Sequence, residues 1–124
     1  MLVIAIGGAL GAIARYLIEK FFPSPPGTIP WATLIINISG SFLLGVVVTL
    51  TTEIWDPSPY KRAFLGVGFC GGYTTFSTWM VESALLINEA KVSLALGYVL
   101  ISLVLGVIAV YIGIVLVRLV GRLL

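Results

Sequence analysis

Histidine is absent from this sequence, cysteine occurs once, and charged residues fill only 10% of its 124 positions. Without histidine there is no imidazole for acid–base catalysis or zinc binding, and the lone Cys70 cannot close an intrachain disulfide. No nucleophile–base set is visible, so the chain is expected not to be an enzyme. A soluble domain carries about 25% charged residues, with polar side chains on every outward face. Here long stretches have none. The net charge of +2 is small and scattered, which excludes the basic footprint of a nucleic-acid-binding protein. Cys70 is expected to be a small packing residue.

What the sequence has in abundance is apolar length: 60% of it is hydrophobic. A bilayer span needs about 20 mostly apolar residues, and four such runs account for nearly the whole chain. The first extends over 2–22 and ends at Pro23, because Pro23-Ser24-Pro25-Pro26-Gly27-Thr28-Ile29-Pro30 cannot continue a helix. The second covers 31–54, with Trp31 and Trp55 at its ends as interfacial anchors. Asp56-Pro57-Ser58-Pro59 reads as a tight loop. The third covers 61–88 and the fourth 92–124, the last long enough to tilt or protrude. The expected architecture is all-α: one four-helix transmembrane domain over 1–124, multi-pass in a cell membrane. Met1 to Ala14 carries no charged side chain, and the first cation, Arg15, follows the apolar run. A secretory signal has the opposite order, so this segment is read as the first helix.

Four spans place Lys61, Arg62, Arg118 and Arg122 on one side and Arg15, Lys20 and Lys91 on the other. Insertion follows the Lys/Arg bias, and four against three is close to a tie. Either one orientation wins weakly, or the chain inserts both ways and pairs antiparallel.

Polar groups in hydrocarbon are costly and face a partner or a pathway. In the first run, Gly7, Gly8 and Gly11 form a small-residue face at close-packing spacing, with Arg15 one turn later. The glycines read first as a helix contact. Arg15 either snorkels to the interface or draws anions into a vestibule. In the second run Asn37 is the strongly polar side chain at depth. It serves either an interhelical hydrogen bond or as an N–H donor to a dehydrated anion. The third run is the most informative. Gly66, Gly68, Gly71 and Gly72 lead into Tyr73-Thr74-Thr75-Phe76-Ser77-Thr78-Trp79 near its centre. Glycines weaken a helix and threonines bond backbone. A broken helix at membrane depth is tolerated where it is buried or lines a cavity, as in ion-binding transporters. Thr74, Thr78 and Glu82 recur every four residues, and Phe76 and Trp79 are adjacent on a helix. The positive edges of aromatic rings could face a small anion. Tyr98, Ser102 and Gly106 repeat every four residues in the fourth run, as a hydroxyl track or a plain helix contact.

Taken together, Gly7-Gly8-Ala9-Leu10-Gly11-Ala12-Ile13-Ala14-Arg15-Tyr16, Thr33-Leu34-Ile35-Ile36-Asn37 and Gly68-Phe69-Cys70-Gly71-Gly72-Tyr73-Thr74-Thr75-Phe76-Ser77-Thr78 resemble the CrcB or Fluc family. These are small four-helix fluoride channels of bacteria and archaea. The resemblance covers all four runs in order. It implies a fluoride-selective channel that exports cytoplasmic fluoride passively from a prokaryotic plasma or inner membrane, relieving its toxicity. It implies an antiparallel dual-topology homodimer with pores at the interface and the third helix broken at its centre. It also implies a central sodium ion held by backbone carbonyls, here those of Gly71 and Thr74. The fluoride pathway carried over comprises Asn37, Phe76 and Trp79, the hydroxyls of Thr75, Ser77 and Thr78, and the track residues Tyr98 and Ser102. Arg15 would stand in the vestibule. Two positions depart from the family pattern: Trp79 replaces the usual phenylalanine, and Gly106 stands where a track hydroxyl is expected.

Two other functions remain to be weighed. A small multidrug or guanidinium exporter would need a carboxylate deep in the first run, where the only one is Glu19 near its end. A non-transporting membrane subunit is opposed by the cost of a polar break at mid-span.

Overall fold

The first apolar run forms α1 (Leu2–Phe21). It stops where Phe22, adjoining Pro23, leaves helical geometry at φ −125° and ψ 60°, as the steric demand of a following proline requires. The computed structural model describes residues 1–55 and 58–123. Asp56 and Pro57 of the expected tight loop, and Leu124 at the end of the fourth run, lie outside the described residues. The second helix, α2 (Trp31–Ile54), follows Pro30 directly. Its last turns, Leu50–Ile54, widen to π-type winding. Thr49, Thr51 and Thr52 there return their hydroxyls to carbonyls three or four residues back, a habit that loosens and bends helices.

The third run is divided. Its first half, α3 (59–73), starts with Pro59 in the first turn and with the Ser58 hydroxyl accepting from the Lys61 N–H. It passes through a π-wound stretch, Ala63–Cys70, and ends in Gly71–Tyr73. Thr74 and Thr75 are extended, at φ −78°, ψ 158° and φ −145°, ψ 119°. The second half, α4 (Phe76–Asn88), then begins. The fourth run is one 30-residue helix, α5 (Val92–Gly121). No strand occurs among the described residues.

Helices α1, α2 and α5 are each long and apolar enough to cross a membrane. Neither α3 nor α4 reaches that length alone. Their outward faces match a lipid setting: α5 exposes Leu96, Leu100, Leu103, Val104, Val107 and Ile108 along successive turns.

Close backbone contacts hold the bundle. A methyl group added to Gly7 would strike the Phe64 carbonyl, one on Gly11 the Phe69 carbonyl, and one on Gly72 the Gly8 carbonyl. The small-residue face of α1 is therefore a helix contact with α3. The same device joins α2 to α5, where Gly45 meets Val110 and Gly113 meets Phe42. Without a hydrophobic force between helices in lipid, such van der Waals contact is the main source of association.

At one end of the bundle Arg118 grips Glu53 in a two-pronged ion pair, with Nη2–Oε1 at 2.7 Å and Nε–Oε2 at 3.0 Å, and Lys61 stands 5.3 Å over the Trp55 ring. At the other, Lys91 bonds the Gly27 carbonyl at 2.9 Å and Glu89 at 3.1 Å. The core under α4 and α5 gathers Leu34, Trp79, Leu86, Ala95 and Tyr98. Cys70 is free and buried, in keeping with a packing role.

Candidate functional site

The break between α3 and α4 organises the site. Asn37, on the middle of α2, reads the Thr75 backbone with both ends of its amide. Its Nδ2 donates to the Thr75 carbonyl at 2.9 Å, and its Oδ1 accepts from the Thr75 N–H at 2.8 Å. An uninterrupted helix would send that N–H to the Gly71 carbonyl, four residues back. The Phe76 and Ser77 N–H groups at the start of α4 are displaced too, and so is the Thr78 N–H. That last group would reach the Thr74 carbonyl in a helix but instead bonds the Thr75 hydroxyl at 3.2 Å, capping α4. The break thus takes the regular helical donors from the carbonyls of Gly71, Gly72, Tyr73 and Thr74; the donors of Gly71 and Thr74 go to Asn37 and to the Thr75 hydroxyl. Gly71 is exposed at its residue surface. Hard cations take oxygen ligands, and the carbonyls freed at the break are oxygens of that kind. Among the described residues no group of three His, Cys, Asp or Glu side chains forms an alternative metal site.

The threonines are turned to local work. Thr74 donates its hydroxyl to the Cys70 carbonyl at 2.9 Å, closing α3. Thr75 donates to the Thr78 hydroxyl at 3.0 Å. The Thr74–Thr78–Glu82 stripe expected from spacing is interrupted, since Thr74 lies outside the helix that carries the other two. Tyr73 and Ser39 meet at 2.9 Å; because the Ser39 hydroxyl donates to the Ile35 carbonyl, the tyrosine O–H is the donor. Gly40 lets Thr74 and Tyr73 lie directly on α2.

A cavity of about 370 Å³ opens beside the break. Asn37, Thr75, Phe76, Trp79 and Ser102 line it, and so does Gly106, whose missing side chain leaves the wall open near the Ser41 hydroxyl. Phe76 is 70% exposed and Trp79 only 7%. Their rings meet edge to face at 5.5 Å and 73°. Ser102 returns its hydroxyl to the Tyr98 carbonyl at 2.7 Å.

Deeper along α4 lies a network whose pairing the sequence did not disclose. Glu82 accepts from Thr33 at 2.7 Å and from the buried Tyr98 phenol at 2.9 Å. Tyr98 thus joins the break region to a carboxylate held without a cationic partner in hydrogen-bond reach. A lone glutamate in an apolar run was the available signal, but its acceptor role rests on Thr33, 49 residues away. Of the remaining expected residues, Ser77 is exposed, Arg15 is half-buried on α1, and neither these two nor Thr78 and Tyr98 line the cavity.

An interrupted helix pinned by an amide, beside a cavity with polar and aromatic walls and among helices apolar enough to cross a bilayer, is the architecture of a multi-pass membrane protein. The chain belongs to the CrcB family: the family model described as CrcB-like protein, Camphor Resistance (CrcB), matches residues 2–114. A "Fluoride-specific ion channel FluC 2" of Nocardia farcinica is 48% identical, over 79% of this chain and 70% of its own. A "Fluoride-specific ion channel FluC" of Rhodospirillum centenum is 43% identical, over 95% of this chain and 94% of its own. The protein of that name from Chlorobium chlorochromatii is 41% identical, over 93% and 89%. The relatives are named as channels, not enzymes, in agreement with the expectation from the missing catalytic set. Family and apolar helices together make this a multi-pass protein of a cell membrane.

Proposed function

We propose that the chain is a passive fluoride channel that lets cytoplasmic fluoride leave the cell and so relieves its toxicity. The observation that carries the reading is the Asn37–Thr75 clamp beside the donor-lined cavity. Fluoride is small and strongly hydrated, so a selective path must replace its water with donors. Asn37, with a second amide N–H beyond the one given to Thr75, and the edges of Phe76 and Trp79 supply them. Among the described residues no Lys or Arg lines the cavity to hold the anion too tightly for release. The relatives' shared name supports fluoride as the ion.

The working unit in this reading is one four-span domain over 1–124, with α3 and α4 together forming the third span. It pairs with a second copy in the opposite orientation, which the four-against-three cation balance permits. Pairing is needed because the cavity is open on one side, with Phe76 at its rim largely exposed. A second copy would close it into a pore, and the mirrored Gly71 and Thr74 carbonyls would together hold one sodium ion. Bound there, the ion would supply a fixed positive charge at the crossing of the two breaks. Tyr98 and Ser102 continue the route toward Glu82, and Arg15 raises anion concentration at its mouth. Fluoride efflux from liposomes holding only the purified chain tests this function.

A further inference from the structure

The end of the bundle that carries Trp55 holds more positive charge than its described carboxylates answer. Lys61, Arg62, Arg118 and Arg122 stand there, and Glu53 is committed to Arg118 through a two-pronged pair. Among the described residues Lys61, Arg62 and Arg122 form no ion pair. Beside Lys61 an apolar groove of about 450 Å³ runs between the first turn of α1 and the start of α3. Val3, Phe64 and Leu65 give it hydrocarbon walls, and Trp55, Tyr60 and Lys61 line it as well. Phe64 and Leu65 follow Lys61 by one turn along α3, so the groove turns wholly apolar toward the membrane interior. The Lys61 ammonium lies 5.3 Å over the Trp55 ring, within reach of cation–π attraction. Its N–H groups meet no acceptor among the described residues, and Tyr60 beside it is 71% exposed. Trp and Tyr rings settle at the headgroup level of a bilayer. The cation therefore stands at the depth of lipid phosphates, with the groove below it among acyl chains.

We propose that this groove holds one acyl chain of an anionic phospholipid, with the lipid phosphate on the Lys61 ammonium. Charge selects the headgroup, since basic residues at the membrane surface attract anionic lipids, whereas a choline headgroup brings a cation of its own to an end already rich in them. An apolar protein surface would cover the groove but leave the Lys61 charge unanswered. Seated there, the lipid bridges α1, the end of α2 and α3. The inference needs the chain to span a membrane and is independent of the ion it carries.

Tryptophan fluorescence of the chain in liposomes tests it. Bromine on an acyl chain quenches an indole that it touches, and the part of the signal missing from Trp55→Phe reports this groove. Brominated phosphatidylglycerol and brominated phosphatidylcholine are titrated separately into vesicles of unbrominated phosphatidylcholine. One charge answered at the surface predicts about a fivefold preference for phosphatidylglycerol at Trp55. The preference should vanish in Lys61→Gln and persist in Lys20→Gln, which removes a charge in the last turn of α1 at the other end. Soluble glycerol phosphate, which has no chain, should not displace the lipid. Size-exclusion elution and melting temperature of both variants should match the parent. Equal quenching of Trp55 by the two lipids in the parent marks ordinary boundary lipid and overturns the inference. So does an unchanged preference in Lys61→Gln or displacement by glycerol phosphate. Absence of quenching by either lipid also overturns it, because a second copy of the chain would then cover the groove.

Discussion

Asn37 holds Thr75 by both backbone groups, N–H to Oδ1 at 2.8 Å and carbonyl to Nδ2 at 2.9 Å. A side-chain amide thus takes the place of the peptide partners that the break removes, and it fixes α2 to the α3–α4 junction at the depth where the cavity opens. This one contact ties the fold to the proposed function, because it satisfies the Thr75 backbone and leaves one amide N–H uncommitted.

Asn37→Asp is isosteric and removes both donors at once. The carboxylate can still accept from the Thr75 N–H but cannot donate to the Thr75 carbonyl or to an anion. Fluoride flux in liposomes is expected to fall more than tenfold. Stability should fall by about 1–2 kcal/mol, the range for one polar contact between membrane helices, read as a modest drop in melting temperature by size exclusion after heating.

Phe76→Ile tests the aromatic rim. The ring is largely exposed within one chain and meets Trp79 edge to face, so the substitution removes the edge while keeping apolar bulk. A stability loss of about 1–2 kcal/mol or less is expected, against a fall in fluoride flux of tenfold or more. The comparison of flux with melting temperature in the same preparation checks it.

Glycine positions divide by what a methyl would meet. At Gly11 it would drive into the Phe69 carbonyl, while at Gly97 nothing lies within 4 Å. Gly11→Val is expected to separate α1 from α3 and destabilise by more than about 2 kcal/mol. Gly97→Ala is expected to stabilise by up to about 1 kcal/mol through helix propensity. Melting curves of the two proteins in one detergent measure the difference.

The carbonyls of Gly71 and Thr74 give a prediction about sodium. Exchanging sodium for N-methylglucamine on both sides should lower fluoride flux and melting temperature together. Thr74→Ser, which keeps the hydroxyl bond to Cys70, should leave the sodium dependence in place. Gly71→Val should abolish it, because a β-branched side chain crowds the backbone at the break. Full flux and stability after exhaustive sodium removal would count against a cation at this place.

Much of this was legible from residue order alone. The cluster Gly71-Gly72-Tyr73-Thr74-Thr75 announced a break because two poor helix formers precede two hydroxyls that compete for backbone, and the break falls at Thr74 and Thr75. The proline-bounded loop and the aromatic ends of α2 were equally plain. The π winding of Ala63–Cys70 was not, since no proline or charge marks it; the stretch lies in close contact with α1. Asn37 was visible as a polar group at depth, but its partner was not, because a backbone N–H and carbonyl leave no mark on the sequence. Thr33 and Glu82 escaped pairing for a similar reason: each has an ordinary local role, and only the folded chain brings them within 2.7 Å. Trp79 stood out as a departure from the family, whereas its unmatched nitrogen is a property of packing.

The most direct test of the central claim is a fluoride-electrode recording of efflux from liposomes. They would contain only this purified chain, be loaded with potassium fluoride, and be triggered by valinomycin. The account predicts rapid fluoride release that needs no proton gradient, is absent from protein-free liposomes, and is not matched by chloride release from vesicles loaded with potassium chloride. Release no faster than from empty liposomes, in protein that elutes as a single folded species, would contradict it.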